Sequence, residues 1–222
     1  MDRRMFRVLT CLSGEHDWRL VLLAGLVCFV ASIAAVNIFH RAIASQARTR
    51  LIWIAIAGAA IGYGIWATHF IAMLAYEPGV PTGYGITLTA LSLAVAMMLT
   101  SCGLGLAASD SSGWRAPVGG AVIGAGIASM HYLGMWALEV PGHVVWSMDL
   151  VAASIVLGML FGYAALSVAV RHQDRWMSLV AALLLTLAIV THHFTAMGAV
   201  EIVPEDRKST RLNSSHLVIS YA

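Results

Sequence analysis

The chain has 222 residues, of which 59% are hydrophobic and 11% charged, and its formal net charge is +2. Soluble domains carry roughly 25% charged residues, so this composition excludes an ordinary water-soluble globule and places the chain in a lipid bilayer. The mild positive charge, with no basic stripe interleaved with aromatics, excludes nucleic acid as a partner.

A membrane-spanning helix needs about 20 predominantly apolar residues. Six such segments follow one another, at roughly 18–39, 51–76, 84–108, 116–138, 145–170 and 176–200. An N-terminal arm (1–17) precedes them and a polar tail (205–222) follows them. The first segment is too long for a signal-peptide core and is kept as a span. The connections leave no room for a soluble domain. The expected fold is all-α: a polytopic membrane protein of six transmembrane helices, arranged as three tandem helical hairpins with a pseudo-threefold internal repeat. Cys11, Cys28 and Cys102 lack metal-ligand spacing and are expected to be buried, inert thiols.

The repeat is visible in the even-numbered spans. His69, His131 and His193 are separated by 62 residues each time. Each is followed by an aromatic (Phe70, Tyr132, Phe194), a small residue three places on (Ala72, Gly134, Ala196) and a Met four places on (Met73, Met135, Met197). A Glu falls eight places after each His (Glu77, Glu139, Glu201), with Pro78, Pro141 and Pro204 shortly behind. These glutamates are expected to cap the helix ends at the water interface. Gly58, Gly62 and Gly64 match Gly120, Gly124 and Gly126 at the same offset, where the third copy has Ala182, Thr186 and Ala188. Such small-residue spacing lets membrane helices approach closely, which predicts tight contact among spans two, four and six.

Parity places all three His/Met phrases at one face of the membrane. The connections at the opposite face hold Arg41, Arg48, Arg50, Arg115, Arg171 and Arg175, whereas the motif-side connections 77–83 and 139–144 hold no Lys or Arg. The positive-inside rule then makes the motif face external, periplasmic if the source is bacterial, although Arg3, Arg4 and Arg7 in the N-terminal arm oppose it.

Residues four apart lie on one helical face, so each His and its Met point the same way, about 6 Å apart along the axis. Ionisable residues inside a membrane usually face the bundle interior and mark a functional site. Imidazole is a general metal ligand; a thioether is soft and selects copper, chiefly Cu(I). Three such pairs suit a copper ion or small cluster, with haem as the alternative user of the same atoms. The metal-ligand candidates are His69, Met73, His131, Met135, His193 and Met197, with Met130 and His192 as second choices. Duplication copies a helix pair with everything on it, so a purely structural role stays open: a hydrogen-bonded His and a gap-filling Met. Asn37 and His40 are read as packing and anchoring residues, His16 and Asp17 as motif-side residues, and His143 and His172 as loop residues without pattern. No Ser/His/Asp order, HExxH or glycine-rich phosphate loop is present, and the domain is expected not to be an enzyme.

The phrase Met130-His131-Tyr132 followed by Gly134-Met135, with its two degenerate sisters, resembles the MHYT domain, a bacterial integral-membrane sensor module. The likeness covers roughly 18–204. The family's Thr after the aromatic is Ile71 and Leu133 in two copies, and its leading Met is Thr68 and His192 in two. The resemblance implies an inner-membrane sensor that binds copper through His69, Met73, His131, Met135, His193 and Met197. Through the metal it would sense oxygen, carbon monoxide, nitric oxide or redox state. It also implies attachment to a cyclase, phosphodiesterase or kinase output domain. The tail 205–222, which includes His216, resembles translated sequencing-adapter sequence and is expected to lie outside the functional unit, with a seventh helix and an output domain lost beyond it. Two rivals are a copper transporter or chaperone, for which Met97, Met98, Cys102 and Met159 would continue the ladder, and a haem-binding redox subunit.

Overall fold

A computed structural model describes residues 16–77, 79–109 and 113–204. The N-terminal arginines, Cys11, Pro78 and the polar tail lie outside the described residues.

Six helices, each long and apolar enough to cross a membrane, form the body. They are α1 (Trp18–Ala44), α2 (Ala47–Ala75), α3 (Ile86–Ala108), α4 (Arg115–Trp136), α5 (Met148–Arg171) and α6 (Arg175–Met197). Asp17 starts α1 by accepting a hydrogen bond from the Arg19 amide, and Asp174 starts α6 by accepting from the amides of Trp176 and Met177. Each helix packs against its neighbours in chain order, and α6 returns to α1, so the six close into a ring. The motif helices are the inner ones. Of their most apolar stretches, 44%, 61% and 44% are buried (α2, α4, α6), against 28%, 33% and 28% for α1, α3 and α5. The outer face carries Leu22, Leu26, Val30, Leu91, Val156 and Leu160, all exposed and suited to lipid. Exposed Trp18 and Trp136 at the motif end, and Trp114 and Trp176 at the other, fit the aromatic belts of an interface.

Short antiparallel ribbons, absent from the sequence-based expectation, close each hairpin at the motif end. Strand β1 (Gly83–Tyr84) pairs with β2 (Leu138–Glu139), and β3 (Gly142–Trp146) with β4 (Val200–Pro204). In the first hairpin a single bridge joins His16 to Tyr76. The amides of Asp17, Gly85 and Ser147 donate to the carbonyls of Ala75, Ala137 and Ala199, so one closure recurs three times. These ribbons shift the helix bounds: α3 and α5 begin later than expected and α4 and α6 end earlier; at the opposite end, α1 runs on to Ala44. The glutamates correct another expectation. Glu77, Glu139 and Glu201 lie beyond the helix ends and are exposed, and they do not cap them.

The glycines also act differently from the expectation. They do not seat α2, α4 and α6 on one another; they admit the outer helices. A Cβ on Gly62 would lie 2.7 Å from the Met97 backbone of α3, and one on Gly124 would lie 2.5 Å from the Met159 Cα of α5. Gly64 faces Ala31 of α1 and Gly126 faces Leu99 of α3, while Gly120 meets the Gly162 backbone of α5. Thr100 adds a hydrogen bond across the α2–α3 contact, its Oγ1 donating to the Gly58 carbonyl at 2.8 Å. Where α6 meets α1 the sister glycine is Thr186, which donates to Ser32 Oγ at 3.3 Å. That contact is the sparsest in the ring. Cys28 is buried as expected, whereas Cys102 is exposed on α3.

Overpacking a close helix contact costs typically about 1–3 kcal/mol, and more where backbone blocks relaxation. Gly124→Leu is therefore expected to lower the thermal unfolding midpoint of detergent-solubilised protein strongly. Gly25→Ala, whose Cβ would meet nothing within 4 Å, is expected to leave it unchanged.

Candidate metal centre

The inner helices present equivalent residues to one axis every four positions. Ile61, Ile123 and Leu185 form one apolar level, and Ile65, Ile127 and Ile189 the next; all six are at most 3% exposed. The first level converges visibly, because its three side chains line one cavity of about 10 Å³. One turn further out come His69, His131 and His193, at 2%, 1% and 3% exposure. Outside them Met73, Met135 and Met197 gather in a separate buried cluster with Leu138 and Val200.

The three imidazoles meet. His69 Nδ1 lies 3.3 Å from His193 Nδ1, and His131 Nδ1 lies 3.2 Å from His69 Nδ1. One nitrogen from each ring falls within 4.8 Å of the other two. Ring centroids are 4.9–5.3 Å apart and the planes stand nearly perpendicular. An aromatic edge closes each imidazole: Phe70 at 4.8 Å, and Tyr132 and Phe194 at 5.1 Å each. Tyr84 stacks edge-on to Phe70 at 5.3 Å, and burial raises its phenol pKa.

Hydrogen bonding does not account for this cluster. A neutral imidazole nitrogen either carries a proton or offers one in-plane lone pair. His69 Nδ1 is shared by two neighbours, so at best one good bond forms, and Nε2 of all three rings is buried without a partner. Unmade bonds of this kind cost about 1–3 kcal/mol per buried group. Metal ligation fits better. With metal–nitrogen bonds of about 2.0–2.1 Å, ligand nitrogens in tetrahedral or trigonal sites lie roughly 3.3–3.6 Å apart, close to the two contacts that His69 makes, while the His131–His193 pair lies within 4.8 Å. The small residue three places after each His has a packing role: a Cβ on Gly134 would lie 2.5 Å from His69 Nε2, so glycine makes room for that ring.

The residue before each His is where the repeats diverge. Met130 is buried in the apolar core and does not join the methionine level. Thr68 is short, and beside it lies a cavity of about 50 Å³ lined by Ala24, Gly25, Ala72, His193 and Phe194. His192 fills the same place in the third copy. It is fully buried, and its Nδ1 donates to the Ser154 carbonyl at 2.9 Å.

A depression of about 770 Å³ opens at the motif face, lined by Tyr132, Met135, Trp136, Glu139, His143 and Trp146. His143 thus lines the same depression as Met135, a placement its lone position in the sequence gave no sign of. At the far end His40 Nε2 donates to the Ala169 carbonyl at 2.9 Å, in keeping with an anchoring role. Met98, Cys102 and Met159 are exposed on the outer helices rather than lined up below the histidines.

A Cβ so close to the His69 ring gives a direct test. Gly134→Ala is expected to lower stability by about 1–3 kcal/mol in thermal or denaturant unfolding, with Gly25→Ala as the silent control.

Comparison with known proteins converges on the same repeat. The family profile described as "MHYT: Bacterial signalling protein N terminal repeat" matches residues 62–120 and 124–182. An uncharacterised signalling protein of Caulobacter vibrioides is 39% identical over 92% of this chain and 25% of its own length. The bifunctional diguanylate cyclase/cyclic di-GMP phosphodiesterase MucR of Pseudomonas aeruginosa is 36% identical over 86% of this chain and 29% of its own length. The cyclic di-GMP phosphodiesterase NbdA of the same organism is 35% identical over 81% and 24%. The chain spans about a quarter of the length of these relatives. No solved structure matches.

Proposed function

Because the chain belongs to the MHYT family of bacterial signalling proteins, we propose that this multi-pass membrane module is a sensor that holds copper in the triad of His69, His131 and His193. The observation that carries the reading is the convergence of the three buried imidazoles, with His69 Nδ1 at 3.2–3.3 Å from Nδ1 of His131 and of His193 and one nitrogen of each ring within 4.8 Å of the other two. The choice of copper rests on the adjoining methionine level, since thioethers favour Cu(I) over zinc. Met73, Met135 and Met197 are the proposed soft ligands. Copper bound there would supply a coordination position able to take oxygen, carbon monoxide or nitric oxide, or to change oxidation state.

Three features support access. The motif-face depression carries Glu139 and His143 ahead of Met135, which suits a cation arriving from the water side. The cavity beside His193 is apolar and about 50 Å³, large enough for a diatomic molecule and too small for a charged solute with its hydration shell. The arginine-bearing ends lie opposite, which supports a periplasmic motif face by the positive-inside rule. A haem is a poorer fit, because the three imidazole rings touch at centroid distances of 4.9–5.3 Å and leave no space between them for a macrocycle. A transport role is also poorer, because below the histidines the axis is filled by isoleucine and leucine.

MucR and NbdA are named for making or breaking cyclic di-GMP. By that likeness the module is proposed to regulate a cytoplasmic output domain of this class without catalysing a reaction itself. A change in ligation would repack the inner helices, which requires two packings of different ligand affinity.

Metal analysis and EPR on purified protein test the reading. Wild type is expected to retain about one copper per chain and a His69→Ala/His131→Ala/His193→Ala variant none; copper that persists in the variant would remove these residues from the site. In copper-loaded protein Gly25→Leu, which fills the cavity, is expected to slow carbon monoxide binding by stopped flow without changing copper content.

A further inference from the structure

The exposed stripe of α1 runs along Leu22, Leu26 and Val30 and then, in the same helical register, reaches Asn37. The earlier members are apolar and suited to lipid. Asn37 is an exposed amide, and its side chain has no hydrogen-bond partner among the described residues. A polar group left unsatisfied against hydrocarbon is costly. Asn37 lies about 10 Å along the axis from the end of α1 at Ala44. Across the seam Trp176, 73% exposed in the first turn of α6, marks the same face as an interface.

Asn37 opens into a hollow of about 500 Å³ between α1 and α6 at the arginine-bearing end. Its lining is graded. Ile33 and Leu179 lie furthest into the two helices, and Gln173 and Arg175 lie at the water end. His40 is committed to the wall, because its Nε2 donates to the Ala169 carbonyl at 2.9 Å. Its Nδ1 lies 3.5 Å from Ser178 Oγ, which donates to the Asp174 carbonyl at 2.8 Å. The donors left over are therefore Asn37, Gln173 and Arg175, and Arg175 has no ion pair among the described residues. No carboxylate among the described residues lines the hollow. Asp174, beside Arg175 in sequence, turns Oδ1 to the amides of Trp176 and Met177. An unopposed guanidinium with two amides, set above an apolar floor, suits a phosphate joined to an acyl chain.

We propose that this hollow seats the headgroup of an anionic phospholipid from the leaflet at the arginine-bearing face. Arg175, Asn37 and Gln173 would donate to the phosphate, and the first acyl carbons would cover Ile33 and Leu179. The lipid would bridge α1 to α6 across the sparsest contact of the ring, where Thr186 stands in place of a glycine notch. It lies at the opposite end of the bundle from the three histidines and does not depend on what they hold.

Any exposed arginine at an interface draws anionic lipid loosely, so a control cation is needed. Arg48 is exposed in the first turn of α2, at the same face and outside the hollow. Full-length chain in non-ionic detergent is titrated with dioctanoyl phosphatidylglycerol, dioctanoyl phosphatidylcholine or inorganic phosphate. Native mass spectrometry counts bound lipid, and the thermal midpoint is read alongside. Wild type is expected to hold one phosphatidylglycerol per chain, about fivefold more tightly than phosphatidylcholine, and its midpoint to rise as that lipid binds. Arg175→Gln is expected to abolish the preference, Asn37→Leu to weaken both lipids and Arg48→Gln to change neither, all with wild-type midpoints before lipid is added. Equal binding of the two lipids by wild type, or equal losses in Arg175→Gln and Arg48→Gln, would overturn the proposal. So would inorganic phosphate that raises the midpoint as far as phosphatidylglycerol does, since the hollow would then take a free anion.

Discussion

Inside lipid, helices gain no hydrophobic reward for meeting, because the tails around them are as apolar as their own side chains. Association there depends on how closely backbones can approach, and this bundle depends on glycine notches. Gly62 and Gly124 admit the Met97 and Met159 backbones, and Gly64 and Gly126 admit Ala31 and Leu99. With outer helices seated this deeply, the inner three are drawn to the axis. His69 then comes within hydrogen-bonding distance of His131 and His193, which lie 62 and 124 residues away in sequence. The imidazole cluster is therefore a consequence of packing one to two turns away, and Gly134 makes the last adjustment by leaving space against His69.

Threefold repetition builds the frame, and its lapses differentiate the site. The α6–α1 contact has Thr186 where the other two junctions have glycine, and it is the sparsest of the ring. The cavity beside His193 and a second hollow of about 500 Å³, at Asn37, His40 and Arg175, both lie along this seam. The position before each motif histidine lapses too, as hydroxyl, thioether and imidazole at 68, 130 and 192. A wholly symmetric centre would offer a ligand three equal approaches. Here one side has room, one is filled by Met130 and one carries His192.

Much of this was legible because lipid simplifies the code: six apolar runs gave six helices, and the His/Met phrase gave the inner face. Parity of the spans correctly put all three phrases at one end. The ribbons were not legible, since segments such as Gly142–Trp146 are apolar and short and read as the start of the next span. The role of the glycines is not legible in the sequence, for a physical reason. Spacing shows that a helix has a notched face but not which neighbour fills it, and that is set by the ring order of all six helices. Cys102 failed similarly: an apolar run has a lipid face as well as a buried one, and Cys102 is on the lipid face. His143 could not be found by pattern at all, because it matters only through the fold that sets it beside Glu139 and Met135.

The stack of levels along the axis bears on how such a module would communicate. Below the histidines lie two complete apolar levels, Ile65/Ile127/Ile189 and Ile61/Ile123/Leu185. Moving a charge through them would forfeit its hydration with no polar partner in return, so neither an ion nor a proton has a path along the axis. Close-packed interiors do transmit shape, because they repack between discrete arrangements rather than deforming smoothly. A shift of one imidazole would move its own helix, and the isoleucines one and two turns away ride on that same helix face. The seam at α6–α1 lacks a glycine lock, so it is where such a shift meets least resistance. Displacement there would reach the arginine-bearing ends as a change in the spacing of α1 and α6. On this argument the fold is suited to pass on a conformational change and to hold back the chemical species that causes it.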